Sequence, residues 1–569
     1  MKEELEKEIS AILESFGVKD LKVSFDYPTR IDFGDLSTNA AMAYAKELGK
    51  KPLDLANEIK NKLFHTACGK VMRIEVVGGF INFFFNKEYF AEKVKEILDK
   101  GPSFAKSYGL AKQKIIIEYT VTNVLKPMHI GHLMGNVIGE SLSRIFEYSG
   151  AEIKRNNYQG DSGLHVAKAV WGIMKLGGII DGNLSEKTNY IGNSYVLGTN
   201  SYEDDPKSAE EIKEINKKLF EKSDKELVVL YEWGRKISLD HFEELYKKLG
   251  TKFDFYFFES EVADDALRIV REFIKKGVFE ESEGAVVFHG EKYDPKLHTR
   301  VFINSQGIPM YEAKDIAHAI RKYDQYKFDK SIIITANEQN EYFKVVLRAL
   351  QEIRSDIAEK TQHLSHGLLK LPSGKMSSRK GNTITGEELI GQVEKKVLEK
   401  MNSREDMSRT VLDMENVAEI VAIGAIKYSI LRQAIGGDII FDFEKSISFE
   451  GDSGPYLQYA CVRAKSVLQK AEKLDLGVRL PSGWETTNLE RLLERFPSVV
   501  ERAGGEYAPH YIVTYLIELA GEFNSFYTSH KIIDQSDPTS PYRLALTQAF
   551  VFVMTSGLDL LGIKVPEKM

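Results

Sequence analysis

From Lys112 onward, short β-branched and aromatic runs alternate with segments of helical periodicity, and few folds accept that alternation. The runs "KIIIEYT" (114–120), "EIKRNNY" (152–158), "VFIN" (301–304) and "SIIITAN" (331–337) read as strands. After the first of them, Leu133, Val137, Ile138, Leu142 and Ile145 recur on one helical face, and Gly150 supplies a stop. Strands separated by helices predict the α/β class: a Rossmann-like parallel sheet with crossover helices, which holds ligands at the carboxyl ends of its strands. Between residues 167 and 280 the chain is mostly helical and charge-rich, as in "EDDPKSAEEIKEINKKLFEK". This stretch is predicted to insert between two halves of the sheet, with its alternating charges on solvated helix faces.

The flanks of this core differ from it. Residues 1–105 open on a helix whose face is Leu5, Ile9, Ile12, Leu13 and Phe16, ended by Gly17. Two short helices broken near Lys50 to Pro52 follow, and "RIEVVGGFINFFFN" predicts strands paired around a Gly-Gly turn. Together these predict an N-terminal α+β domain, with "KGPSFAKSYG" as its linker to a core domain of residues 106–445. From residue 446 to 569 the pattern is helical, with one stripe of Ile512, Tyr515, Leu516, Leu519, Phe523 and Phe526 and another of Leu546, Phe550, Val553, Met554 and Leu561. That predicts a C-terminal all-α bundle, and three domains suit a chain of 569 residues.

Composition narrows the function classes. No apolar run is long enough to cross a bilayer and the start, "MKEELEKEIS", is acidic rather than signal-like, so the expectation is a cytoplasmic protein away from the membrane. Cys68 and Cys461 are the only cysteines and have no spacing for a disulfide framework or a structural metal. A net charge of −7 argues against indiscriminate coating of nucleic acid and leaves room for a local basic patch.

Two motifs carry chemistry. In "KPMHIGHLMG", His129 and His132 stand where the predicted strand becomes a helix, and a helix N-terminus presents unpaired N–H groups and partial positive charge to a phosphate. Pro127 suits the helix entry, and Gly131, lacking a Cβ, lets a flat ring such as adenine approach the backbone. Far downstream, "LLKLPSGKMSSRKGNTITGEELI" places Lys375, Arg379 and Lys380 on a loop marked by Pro372, Ser373, Gly374 and Gly381. Alone such a loop is most often a solvated basic segment; near a phosphate site its cations can neutralise a departing pyrophosphate.

The pair "HIGH" (129–132) and "KMSSR" (375–379) resembles the two signatures of class I aminoacyl-tRNA synthetases. The spacing "E-Y-x-x-x-N-x-x-K-P-x-H-x-G-H-L" from Glu118 to Leu133, "NYQGDSG" (157–163) and "YEAKDIA" (311–317) is similar to the arginyl branch of that class. At the ends, "GDLSTNAAM" and "GGFINF" resemble the N-terminal additional domain of that family. "GPYLQYACVRAKSVLQK", "YLIELAGEFNSFY" and "GLDLLGIKVPEKM" resemble its anticodon-binding bundle.

The resemblance implies ATP-dependent ligation of L-arginine to its tRNA through an arginyl-adenylate, with Mg²⁺ accompanying ATP and the chain acting as a monomer. It implies catalytic roles for His129, His132, Lys375 and Lys126, and ATP contacts from His129, Gly131, His132, Lys375, Met376, Ser377 and Lys380. It also implies an arginine site of Glu118, Asn123, Tyr311, Asp315 and Gln339. A planar guanidinium is best met by carboxylates in bidentate geometry, which independently suits Glu118 and Asp315. The sequence departs from the family at Ser378, where a second lysine is usual and Lys126 or Lys380 substitutes; at Met134 and Val121-Thr122; at Ser162, where tryptophan is usual; and in "VGGFIN", which lacks a proline. Three alternatives remain at this level: a class I synthetase for another amino acid, a noncatalytic tRNA-binding paralogue, and a nucleotidyltransferase that adenylates a small molecule without RNA, which would leave the long helical C-terminal domain without a purpose. Residues 451–569 hold 12 Lys/Arg against 14 Asp/Glu, so RNA contact there falls to shape and stacking, with Tyr456, Tyr459 and Tyr527 as candidate platforms; at helical spacing such tyrosines are more often core, and core is the reading favoured for Tyr456.

Overall fold

Five parallel strands at the centre of the chain position everything that follows. The computed structural model describes all residues except 29, 65–68, 371–383, 403–410 and 472–478. The chain divides into two compact units, one of Met1–Phe104, Arg463–Phe496 and Leu519–Val553, the other of Ala105–Val462, Pro497–Glu518 and Met554–Met569.

In the first unit, strands β1 (Leu36–Thr38), β2 (Val71–Val77) and β3 (Phe80–Phe85) form an antiparallel sheet in the order β1-β3-β2. Val77 faces Phe80 across Gly78 and Gly79, both at positive φ, which is the backbone a two-residue hairpin turn demands. Leu5, Ile9 and Leu13 of the first helix pack with Leu55, Ile59 and Phe83 in one core. Segments from the far end of the chain belong to this unit: Arg491 donates to Asp35 at 2.7 Å, and Glu494 accepts from the hydroxyls of Tyr89 at 2.7 Å and Tyr27 at 3.4 Å.

In the second unit, β4 (Lys114–Glu118), β5 (Glu152–Gln159), β6 (Phe255–Phe258), β10 (Lys330–Ala336) and β11 (Thr361–His366) form a wholly parallel sheet in the order β11-β10-β4-β5-β6. The chain runs outward from β4 through β5 to β6 and later resumes on the other side of β4, so the switch point lies between β4 and β10. One predicted strand belongs elsewhere. The "VFIN" run lies in β9 (Thr299–Ile303), which pairs antiparallel with β8 (Ala285–His289) in a separate sheet completed by β7 (Glu280–Ser282). The stretch joining β8 to β9 holds only the short turn Gly290–Lys292, with no crossover helix to bring the strands round parallel.

Two strands of the main sheet were not foreseen. β6 interrupts the stretch predicted as mostly helical, after helices Leu164–Lys175, Leu184–Asp204, Pro206–Glu221 and Lys225–Leu249 and before the helix Glu259–Ile274. β11 is an edge strand with five of its six residues partly exposed, and "TQHLSH" shows no apolar alternation because half its surface is not buried in the sheet. In the C-terminal region every residue of the two predicted stripes is buried, within or next to helices His510–Ser529 and Ser540–Leu560. Among the described residues, no helix is long and apolar enough to cross a membrane.

The helix Ile130–Tyr148 is buried on nearly every side, where one apolar face was predicted. Its polar residues are therefore bonded: Glu140 accepts from Tyr119 at 2.7 Å, Arg144 at 2.8 Å and Arg155 at 3.1 Å. Gly139 permits the contact with β4, because a Cβ there would sit 2.2 Å from Cγ of the Tyr119 ring, which is itself fully buried. Gly139→Ala is expected to lower stability by about 1–3 kcal/mol, measured as a shift in the urea midpoint; an unchanged midpoint would mean the helix can move off the strand at no cost.

Candidate active site

The segment from Glu118 to His132 leaves the end of β4 under strain. Thr120 and Val121, both β-branched, have φ of +75° and +50°, and Leu125 has +56°. Such conformations cost about 1–3 kcal/mol each and persist where the surroundings over-determine them. The surroundings here are specific: Gly160 donates to the carbonyl of Thr122 at 3.0 Å and accepts from Val124 at 2.9 Å. Asn123 is thereby held against Gly160, where a Cβ would lie 2.1 Å from the amide oxygen of Asn123.

His129 is the N-cap of the helix Ile130–Tyr148. The backbone N–H of Gly131 donates to His129 Nδ1 at 3.1 Å, and the backbone N–H of His129 donates to His132 Nδ1 at 3.3 Å. An Nδ1 that accepts carries no proton, so each ring bears its hydrogen on Nε2. The rings stack at 3.6 Å. Burial, then the neighbouring charge of Lys126, hold His129 down to about 4, while burial and then His129 hold His132 well below the ordinary imidazole range. Both are neutral donors at working pH. The lack of a Cβ at Gly131 is explained locally, since one would lie 2.9 Å from the folded-back His129 ring.

A third histidine joins them. His366, at the end of β11, is buried, lies close enough to influence both rings, and has its Nε2 3.6 Å from where a Cβ on Gly135 would be. It sits in a polar edge strand where no motif or spacing marks it. Lys375, Met376, Ser377, Ser378, Arg379 and Lys380 lie outside the described residues. The chain after them is held at the histidines: Thr385 bridges His129, and Gly386 donates to the carbonyl of Met128 at 2.8 Å.

On the other side of β4, Glu118 is buried and its Oε2 accepts from Lys322, His318 and Asn156, each at 2.8 Å. Burial pushes this carboxyl up, but Lys322 and His318 outweigh it and hold the group well below the usual range. Asp315, on the same helix (Tyr311–Gln325), behaves oppositely. Burial, with Glu118, Glu259 and Glu312 nearby, pushes it up to about 8, against the hydroxyl of Tyr342, which donates to it at 2.6 Å. Tyr311 begins that helix, 44% exposed, with the ammonium of Lys314 4.6 Å over its ring. Lys314 in turn pairs with buried Glu259, and Ser162 hydrogen-bonds both, so the serine found in place of tryptophan belongs to this ion pair. Asp161 accepts from Ser260, Arg235 and Tyr231, tying the end of β5 to the helix Lys225–Leu249. A cavity of about 760 Å³ opens here, lined among others by Ser162, Gly163, Tyr231, Arg235, Tyr311 and Lys314. Gln339 is exposed just past the end of β10.

The site residues thus sit at the carboxyl ends of β4, β5 and β10, with the neutral histidines on one side of the switch point and an acid-rich recess on the other. Family models match in the same order: "Arginyl tRNA synthetase N terminal domain" over residues 1–85, "tRNA synthetases class I (R), catalytic domain" over 93–443, and "DALR anticodon binding domain" over 457–569. The chain belongs to the arginyl-tRNA synthetase family.

Members of this family resemble the chain along its whole length. It is 33% identical to an arginine–tRNA ligase of Streptococcus mutans, covering 99% of each chain, and 32% identical to one of Halothermothrix orenii, covering 100% of this chain and 99% of the other. The Thermus thermophilus arginyl-tRNA synthetase superposes with a TM-score of 0.81 at 25% identity, covering 100% of both chains. In this arginyl-tRNA synthetase fold the histidine pair is an uncharged donor set. Its ring resonances are expected to show no titration between about pH 5.5 and 8, and a ¹⁵N spectrum in which either ring protonates near 6.5 would reject that assignment.

Proposed function

We infer that the protein ligates L-arginine to its cognate tRNA, using ATP and passing through an arginyl-adenylate. The observation that carries this reading is the acid-rich recess around Asp315 on the same segment of fold as the capped histidine pair. An amino acid that is a planar cation completes the first, and a polyphosphate fits the second. A class I synthetase for another amino acid is not favoured, since an apolar or shorter side chain would leave the Asp315 carboxylate without a cationic partner.

In the first step the arginine carboxylate attacks the α-phosphorus of ATP and pyrophosphate departs. The Nε2–H groups of His129 and His132 donate to phosphate oxygens as charge builds on them, and Lys126 adds a positive charge beside them; Lys375 acts from the loop. Met376, Ser377 and Lys380 are proposed as further ATP contacts. Because the histidines are already neutral and oriented by backbone N–H groups, no proton need leave them before reaction. Asp315, Glu118 and Tyr311 hold the guanidinium, and Asn123 and Gln339 the backbone amine and carboxylate. In the second step the terminal ribose hydroxyl of tRNA attacks the adenylate and AMP leaves.

Among the described residues no group of three or more His, Cys, Asp or Glu side chains is arranged to hold a metal. The Mg²⁺ of the reaction is proposed to enter with the phosphates of ATP. When bound, the ion shares the charge of the departing pyrophosphate. We propose residues 1–105 and 446–569 as tRNA-binding domains, with Tyr527, 41% exposed and 5.3 Å from the guanidinium of Arg463, as a stacking platform. The proposed setting is the cytoplasm, with the chain acting as a monomer.

The deciding experiment is ATP–pyrophosphate exchange with and without tRNA, with lysine and glutamine as controls. Exchange with arginine alone is expected, and exchange with another amino acid would transfer the protein to a sister specificity. A second test follows from Asp315, whose proton must leave before a guanidinium can pair with it. Since this carboxyl is raised to about 8, the arginine KM is expected to rise about tenfold per unit as pH falls below 8 and to flatten above it. Asp315→Asn should abolish that slope and raise KM by about thirtyfold or more. A flat profile in the wild type would remove Asp315 from the guanidinium.

A further inference from the structure

The end of β5 carries more buried polar atoms than the protein satisfies. Asn156 Oδ1, Asn157 Oδ1, Tyr158 Oη and Gln159 Oε1 are buried without a hydrogen-bond partner. Three of these residues are bonded through another atom: Asn156 Nδ2 donates to Glu118, Asn157 Nδ2 to Tyr246, and Gln159 Nε2 to Thr122. Tyr158 has one side-chain polar atom, and it has no partner.

That phenol is held in place from behind. Its ring lies flat on His318, with centroids 3.9 Å apart and planes 5° from parallel, and Phe257 closes on the His318 edge at 5.0 Å. His318 is fixed by its 2.8 Å bond to Glu118. Strand alternation puts Tyr158 on the face of Asn156, toward the helix Tyr311–Gln325, and Asp315 precedes His318 by one turn of that helix. Apart from burial, the groups acting on the phenol are all acids, with Asp315 first and then Glu259, Glu118 and Asp161. The phenol is thus neutral, unpaired and set among carboxylates. A buried hydroxyl left unpaired is destabilising in the free protein, and such groups persist where a ligand completes them.

We propose that Tyr158 determines amino-acid specificity: its phenol oxygen accepts one N–H of the guanidinium while other donors of the same group engage Asp315. The proposal rests on the arginine-site reading above. A guanidinium presents five N–H donors in one plane and can meet a carboxylate and a phenol together. The lysine ammonium is a point charge on a flexible stem, and the glutamine amide brings an acceptor toward the acids. Neither presents the planar, diverging N–H groups that a guanidinium offers to both at once.

Tyr158→Phe keeps the ring and its stack and removes only the oxygen. In tRNA aminoacylation the arginine KM is expected to rise about ten- to hundredfold while kcat and the ATP KM stay unchanged. The thermal midpoint should be equal or higher, because an unpaired buried hydroxyl is gone. An unchanged arginine KM overturns the proposal, as does a lowered midpoint with both KM values raised, which marks a purely structural role. Asp315→Asn measured alongside separates the two claims. If it raises the arginine KM and Tyr158→Phe does not, only the assignment to Tyr158 falls; if neither does, the arginine site itself is misplaced and the proposal falls with it.

Discussion

A buried charge pair holds the catalytic face together. Glu118 and Lys322 are both almost wholly inaccessible, and removing two such charges from water costs several kcal/mol per ion before their attraction offsets it. A pair of well-packed apolar residues would be at least as stable. What the ion pair adds is direction: Glu118 ends β4, Lys322 lies on the helix Tyr311–Gln325, and His318 and Asn156 share the same carboxylate oxygen. Strand, neighbouring strand and helix are locked at one point, and Asp315 and Tyr158 take their positions from it.

The pair also divides the acids by role. Glu118 has its charge met from within the protein, so its pull on a substrate cation is reduced. Asp315 has no such partner and is surrounded by other acids, which raise its affinity for a proton and equally for a cation. The sequence could place both carboxylates on the ligand side of the sheet, but it could not separate a carboxylate already neutralised from one left waiting. That distinction comes from Lys322, 204 positions away in the chain, whose approach is a tertiary event.

Much of the architecture was legible because periodicity reports burial. The strand at Ile115–Ile117, the helix after His129, the Gly-Gly hairpin and the C-terminal stripes each bury an apolar set that recurs at the right spacing. Legibility failed where burial is partial. β11 is a polar edge, β6 hides inside a charge-rich helical run, and β9 reads like any buried strand although its partner is antiparallel. In the site, motifs located the histidine pair but not His366 or His318, since no local pattern foretells which distant side chains converge on a strand end.

The two halves of the site are joined by one short stretch of backbone, Glu118 to His132, and that length explains its strain. The carboxylate end of the stretch is pinned by Lys322, its middle by Gly160, and its helical end by Thr385 and Gly386. Between fixed points the chain has little freedom, and Thr120, Val121 and Leu125 absorb the mismatch at positive φ. A relaxed connection would cost less, but it would let the acid-rich recess and the histidine pair drift relative to one another. Reaction between two bound substrates depends on holding attacking and receiving atoms to within a fraction of an ångström. The strained segment works as a spacer of fixed length, and its cost is the counterpart of that alignment.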